Sequence, residues 1–364
     1  MKIWLKKSFF EEKEYTLIEN GQMRVTAFKY STGVEALKIE NSKGNFIILP
    51  FQGQQIWRAQ FLGKELTMKT LIDEPVKTNE YLKNYGGFIL HCGLDAIGVP
   101  QEDDKHSLHG ELPNAEYNKA YIECNEEYIA VGGSLYMNES LNRNYVFSPE
   151  CRLYKDDTIL KLFVSIENRR CSPMEYMYLC HINFRPFDGA ELIYSAFYDK
   201  DNIEISKIIS DNTPEDKAKE LLEYMVKLEE KPQIHHIIDK NQPYDPEICM
   251  FIKYMGDEDN RAYTLQKCRD GACYVSHSVD ILPKAVRWIA RNGNEDCMGM
   301  VLPATAEHLG YMNAKRKGQI KVLEPNEKLV FCIEAGYIDS KKALDIENKI
   351  EAIKKGEKKN EKDT

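Results

Sequence analysis

Residues 145–184 read YVFSPECRLYKDDTILKLFVSIENRRCSPMEYMYLCHINF. Three runs stand out in it: Tyr145–Tyr154, Ile159–Glu167 and Met174–Phe184. Each is rich in Val, Ile, Tyr and Phe with apolar residues at period two, the pattern of a strand with one face buried. Asp156-Asp157 breaks the first from the second, as a turn would. The same rhythm runs outward in both directions. On the N-terminal side lie Arg24–Tyr30, Phe46–Pro50, Ala120–Cys124 and Tyr128–Tyr136. On the C-terminal side lie Ile234–Asp239, Cys249–Tyr254, Tyr274–Asp280, Ala285–Ala290, Met298–Leu302 and Leu329–Tyr337. Many strands with few helices between them predict antiparallel sheets, not a βαβ fold. The expected class is mostly β.

Two helices interrupt the strands. Thr213-Pro214-Glu215-Asp216 is a capping signature, and Leu221, Met225 and Leu228 follow at helical spacing, which predicts a helix over Pro214–Glu230. Ala343, Ile346 and Ile350 form a stripe that predicts a second helix over Ser340–Lys354, with a solvated, frayed tail beyond it. No linker or repeat divides the chain. One β-domain over residues 1–339, followed by a C-terminal helix and charged tail over 340–364, is the simplest organisation.

The bulk composition narrows the function. With 49 Lys and Arg against 58 Asp and Glu, the net charge is −9, and no basic block is present. That argues against nucleic acid and anionic membranes as partners. No apolar stretch approaches the length of a membrane helix, and MKIWLKKSFF has no apolar core of a signal peptide. The ten cysteines include no CxxC pair, so they read as reduced, buried residues of a cytoplasmic protein. There is no P-loop, GxGxxG, HExxH or GxSxG.

Chemistry concentrates around the histidines. His91, His106 and His109 fall within NYGGFILHCGLDAIGVPQEDDKHSLHGELPNAEY, a stretch whose Gly, Pro, Asp and Asn mark it as mostly loop. If His109-Gly110-Glu111 is extended, His109 and Glu111 point to one face. His181 and Asn183 share a face at the end of the strand Met174–Phe184. A histidine there could move protons at neutral pH, and the amide could hold a sugar hydroxyl. His277, alternating with Val275 and Val279, faces inward, either into core or into a cleft. His235-His236 points to opposite sides of its strand and reads as structural, while His308 sits in a polar loop. Trp57 beside Arg58, and Trp288 between Arg287 and Arg291, are candidate aromatic platforms for the apolar faces of a sugar.

Three motifs carry a resemblance. Ile48–Arg58 (ILPFQGQQIWR) resembles the early strand pair of aldose-1-epimerase-like proteins, where a glycine turn leads into a sugar-contacting arginine. Leu108-His109-Gly110 resembles the family's histidine–glycine motif, and Cys180–Phe184 (CHINF) its second histidine strand. The chain, from about Phe46 to Asp339, is thus similar to the galactose-mutarotase superfamily, most closely its poorly characterised aldose-1-epimerase-like branch. The resemblance implies an antiparallel β-supersandwich with the site on a concave sheet face. It implies His181 as the acid, His109 holding the ring-oxygen side, and no required cofactor. Arg58, His91, Asn183, Trp288 and His277 are the candidate substrate-binding residues. The family's base is a glutamate before a proline near the C-terminus, and Leu302-Pro303 stands there instead. Glu111, Glu307 and Glu334 are the alternatives, Glu111 preferred because it travels with His109.

Three functions remain open at this point, all with a small-molecule sugar or sugar derivative as partner. One is an aldose 1-epimerase-like isomerase. Another is a lyase or isomerase of a modified or keto sugar, for which His109, Glu111 and His181 could bind a divalent metal. A third is a non-catalytic sugar-binding protein.

Overall fold

The computed structural model describes residues 1–209, 213–239, 241–242 and 244–360, the side chains of 357–360 excepted. Its strands form two antiparallel sheets of nine and thirteen strands. The nine-stranded sheet runs, edge to edge, through Lys2–Trp4, Lys119–Cys124, Tyr128–Glu139, Arg143–Tyr154, Ile159–Asn168, Lys328–Asp339, Gly271–Ser278, Arg261–Cys268 and Glu191–Tyr194. The main path of the larger sheet runs Ile203–Ile205, Tyr244–Ile252, Lys284–Arg291, Asp296–Ala304, Met174–Ile182, Ile89–Leu94, Ile56–Phe61, Gly44–Ile48, Glu35–Asn41, Met23–Lys29 and Tyr15–Asn20. The sheets are stacked, and one continuous apolar cluster takes side chains from both: Phe147, Leu162 and Val275 from one, Met177, Ile289 and Ile48 from the other. The predicted strand-rich architecture is the observed one.

The alternation that announced the strands is visible as burial. Ile159–Asn168 alternates half-buried and fully buried residues along its whole length, because one face meets the core and the other is partly solvated. Met177–Phe184 is buried at every position, since its strand lies mid-sheet with structure on both faces. Two helical expectations are met with shifts of a residue or more. Glu215–Glu230 is helical behind Pro214 and buries Leu221, Met225 and Leu228. Ser340–Asn360 runs past the expected Lys354. Ala343, Ile350 and Ile353 lie on Ile193, Leu265, Tyr274 and Ile338 of the smaller sheet, and Lys349 pairs with Asp257 and Tyr263. The end of the expected tail, residues 361–364, lies outside the described residues. His235-His236 departs from its expectation. Pro232 starts a 3₁₀ turn over Pro232–His235, so both imidazoles turn inward and are buried. No described helix is long and apolar enough to cross a membrane.

The loop that carries His109 is fastened at Gly98. Its φ is 78°, and a Cβ there would lie 1.8 Å from the His308 carbonyl oxygen. His109 N–H donates to the Gly98 carbonyl, and Val99 N–H to that of His308. Gly98→Ala is expected to cost about 1–3 kcal/mol through backbone strain. Urea denaturation measures it, and an unchanged midpoint would contradict the contact.

Candidate functional site

The strand Met174–Ile182 lies between Ile89–Leu94 and Asp296–Ala304. Its register pairs His181 with Leu90 and Cys180 with His91. Directly paired residues share a face, so His91 and His181 lie on opposite sides of the sheet. His91 enters the core between the sheets. Its Nδ1 bonds the Tyr178 hydroxyl at 2.7 Å and its ring meets Phe147. The structure thus places it away from the face that carries His181.

His181 faces the other way. Its Nδ1 bonds Asn183 Oδ1 at 2.7 Å, while Asn183 Nδ2 donates to the Gly87 carbonyl at 2.9 Å. An amide oxygen only accepts, so His181 Nδ1 carries the proton and Nε2 holds the lone pair. Nε2 makes no hydrogen bond among the described residues. Asn183 is fully buried and also accepts from the Tyr85 hydroxyl at 3.1 Å. It orients His181 and Tyr85 rather than offering its amide to a ligand.

Three rings surround His181 edge-on: His109 at 5.3 Å, Tyr85 at 5.4 Å and Trp288 at 5.5 Å between centroids. Tyr81 stacks on Tyr85 (5.1 Å) and meets His109 at a tilt (4.7 Å). Trp288 Nε1 donates to Glu247 Oε2 at 2.5 Å. Cys297, near Asn183, and Leu302, near Gly299 beneath Trp288, complete an apolar floor. Three buried polar atoms here lack partners: His109 Nδ1, His308 Nδ1 and the Tyr81 hydroxyl.

Burial sets the protonation states. It lowers His181 to about 4, against a smaller raising effect of the Asn183 bond. It holds His109 well below its ordinary value, with His181 and His308 adding to the effect, and lowers His308 to about 4. It pushes the Tyr81 and Tyr85 phenols well up. At neutral pH the cluster thus presents neutral imidazoles and protonated phenols.

Several expected site residues lie elsewhere. His109 and Glu111 do not share a face, because His109 (φ 59°) and Gly110 (φ 78°) are both left-handed and turn the chain. Glu111 accepts from the Tyr145 hydroxyl at 2.5 Å and pairs with Arg143. It lines a separate cavity of about 780 Å³ with Asp95, His106 and Arg170. The expected metal set of His109, Glu111 and His181 is therefore not assembled. No group of three or more His, Cys, Asp or Glu among the described residues is arranged to hold a metal. Arg58 spends its fork on the carbonyls of Trp57, Gly86, Ile72 and Asp73, at 2.8–3.2 Å. It clamps the segment leading to Tyr85 rather than meeting a sugar. His277 belongs to the smaller sheet, packs on Tyr254 at 5.4 Å and is core. Glu307 is bound by Lys317 and Gln319, and Glu334 by Tyr274.

Glu247, Tyr81 and Tyr85 were missed. A signal for Glu247 existed in Tyr244-Asp245-Pro246-Glu247: a proline cannot donate to a ladder, so a strand carrying one bulges. The register does shift between Tyr244 and Ile248, which brings Glu247 to Trp288.

A domain of unknown function, DUF4432, matches residues 31–195, and no curated protein matches the chain. Solved structures do. A candidate aldose 1-epimerase from Klebsiella pneumoniae subsp. pneumoniae superposes with a TM-score of 0.80 at 15% identity, covering 97% of this chain and 95% of that one. A galactose mutarotase-like protein from Clostridium acetobutylicum gives 0.61 at 13% identity, covering 88% and 100%. The fold is that of the galactose-mutarotase-like proteins. At these identities the likeness extends to architecture.

Proposed function

We propose that this chain is a carbohydrate-acting isomerase of the aldose 1-epimerase type, with His181 as its proton-transfer group. The observation that carries the reading is the fixed tautomer. Asn183 leaves Nε2 as an unpartnered base beside an aromatic wall whose Trp288 donates to the exposed carboxylate of Glu247. Such a wall suits the C–H faces of a pyranose, and the carboxylate suits its hydroxyls. His181 starts the cycle as base rather than acid. Nε2 takes the proton of the anomeric hydroxyl as the bond from the anomeric carbon to the ring oxygen breaks. The ring oxygen then takes that proton back from Nε2, giving the open aldehyde. One imidazole can serve both oxygens because both are attached to the anomeric carbon. Rotation of the aldehyde and closure by the reverse steps give the other anomer. The Tyr81 phenol is a spare donor for an oxygen gaining charge. His181 is only 4% exposed, so Tyr85 or Trp288 must swing aside to admit a sugar.

Exchange spectroscopy by NMR on a panel of aldoses, uronates and sugar phosphates tests the reading. Accelerated anomer exchange is expected for at least one sugar, and Glu247→Gln is expected to raise its KM ~10-fold or more, the worth of a hydrogen bond to a charged acceptor. Exchange no faster than buffer across the panel sinks the isomerase reading. Leu302 at the position of the family's glutamate favours one alternative, a protein that binds a sugar without turning it over. Saturation transfer without exchange would be its signature.

A further inference from the structure

The cavity of about 780 Å³ that holds Glu111 is walled by both sheets. Arg143 and Tyr145 come from the smaller sheet, Leu94 and Met174 from the larger, and Tyr311 and Met312 from the helix Tyr311–Arg316. Met174 stands seven residues before His181 on one strand, ~23 Å along an extended chain, so this cavity is separate from the His181 cleft. Its volume lies within the ~300–1,000 Å³ of pockets that enclose a small molecule.

The inner wall is short of positive charge. Arg143 serves two carboxylates: it pairs with Glu111 and lies 3.7 Å from Asp95 Oδ2. Burial raises both carboxyls above their ordinary value, and the charge of Asp95 raises Glu111 further. Glu111 accepts from Tyr145 and Arg143, which leaves about half of its lone-pair sites open. His106 lines the same space with a side chain only 6% exposed. Its Nδ1 donates to the Ser107 carbonyl at 2.8 Å, and its Nε2 is buried without a hydrogen bond, 3.5 Å from Asp104 Oδ2. Towards solvent the balance reverses. Exposed Lys105 and half-buried Arg170 line the mouth, and neither side chain has a hydrogen bond or ion pair among the described residues. The other acids of the wall are already matched: Asp103 by Arg316, and Glu175 by Lys315 and the Tyr311 hydroxyl. Asp104 accepts the backbone N–H groups of Gln101 and Met312.

We infer that this cavity binds a small sugar derivative bearing one oxyanion, a carboxylate or a phosphate, at a site distinct from the His181 cleft. Hydroxyls of the ligand donate to Asp95 and Glu111 on the inner wall, where another anion would be repelled. The oxyanion meets Lys105 and Arg170 at the mouth, Arg170 offering the planar fork that matches it. His106 Nε2 gives one more polar contact, and Leu94, Met174 and Val322 face the ligand's C–H surface.

Isothermal titration calorimetry with four probes tests this: D-glucuronate, D-glucose 6-phosphate, D-glucose and inorganic phosphate. At least one of the two acidic sugars should bind wild-type protein saturably. It should bind at least ~10-fold more tightly than glucose, which lacks the oxyanion, and than phosphate, which lacks the hydroxyls. Which acidic sugar binds distinguishes carboxylate from phosphate. No saturable binding by either, or glucose or phosphate matching both, overturns the inference. A variant carrying Lys105→Ala and Arg170→Ala together loses two side chains that no other residue leans on through a polar bond, so its fold should be kept. It should bind the acidic sugar ~10-fold or more weakly. Unchanged binding in that variant overturns the inference, and so does loss of binding in His181→Ala, which would place the ligand in the other cleft. Calorimetry reads binding and not anomer exchange, so the result stands apart from the isomerase reading.

Discussion

Lowering the pH from 7 to 5 is expected to unfold this protein through its buried histidines. Seven of its eight histidines are held below their ordinary value by burial. His91, His236 and His277 lie at about 3, His181 and His308 at about 4, and His109 and His235 well below 6.5. A depressed histidine pKa means that the unfolded chain binds more protons than the folded one between the two values. Stability therefore rises with pH across that window. It is fully present above the unfolded value of about 6.5 and is lost progressively as pH falls toward the folded values. Each such histidine contributes a slope approaching ~1.4 kcal/mol per pH unit, or ~2 kcal/mol by pH 5. Seven acting together rival the ~5–15 kcal/mol that holds a typical domain. Thermal melts by circular dichroism between pH 7.5 and 4.5 measure this, and a melting temperature flat down to pH 5 would contradict it. Paired carboxylates such as Asp257, lowered to about 2 with Lys349 and Tyr263 as partners, act only in stronger acid.

His181→Ala is expected to slow anomer exchange ~10²- to 10⁴-fold, the range for a lost acid–base group. The fold should survive, because Asn183 Oδ1 keeps the Tyr85 hydroxyl as a donor and Nδ2 keeps Gly87. The space left under Tyr85 and Trp288 has the shape of an imidazole ring. Added imidazole should therefore restore part of the rate in the variant and nothing in wild-type protein. Wild-type exchange in His181→Ala removes the residue from the mechanism. Asn183→Ala separates orientation from chemistry: Nε2 is retained but its tautomer is released, so kcat should fall with little change in KM.

What the sequence disclosed follows from how local each signal is. The strand Met174–Ile182 and the shared face of His181 and Asn183 are legible because period two is a property of the chain itself. The role of Asn183 is not, because it depends on the Gly87 carbonyl, 96 residues away. Alternation correctly placed His277 inward. A stacked pair of sheets has more than one inward face, however, and period two does not say which one borders a cleft. His109 and Glu111 were paired on the premise of an extended chain. Gly110 hinted otherwise, but the left-handed His109 beside it carries no compositional mark. Glu247 was legible only in part: Pro246 announces a bulge, but the residue it turns toward Trp288 is set by the pairing of two strands.

The strand order of the larger sheet also bears on how such a protein can change. Glu247, Trp288, Leu302 and His181 come from four successive neighbours: Tyr244–Ile252, Lys284–Arg291, Asp296–Ala304 and Met174–Ile182. Adjacent strands stand about 4.8 Å apart, so side chains on neighbouring strands can reach one bound small molecule. A carboxylate lost from one strand can thus be supplied by a neighbour without disturbing the backbone. On the proposed reading, one substitution on the sheet could therefore move the carboxylate to a neighbouring strand while the architecture stays as it is.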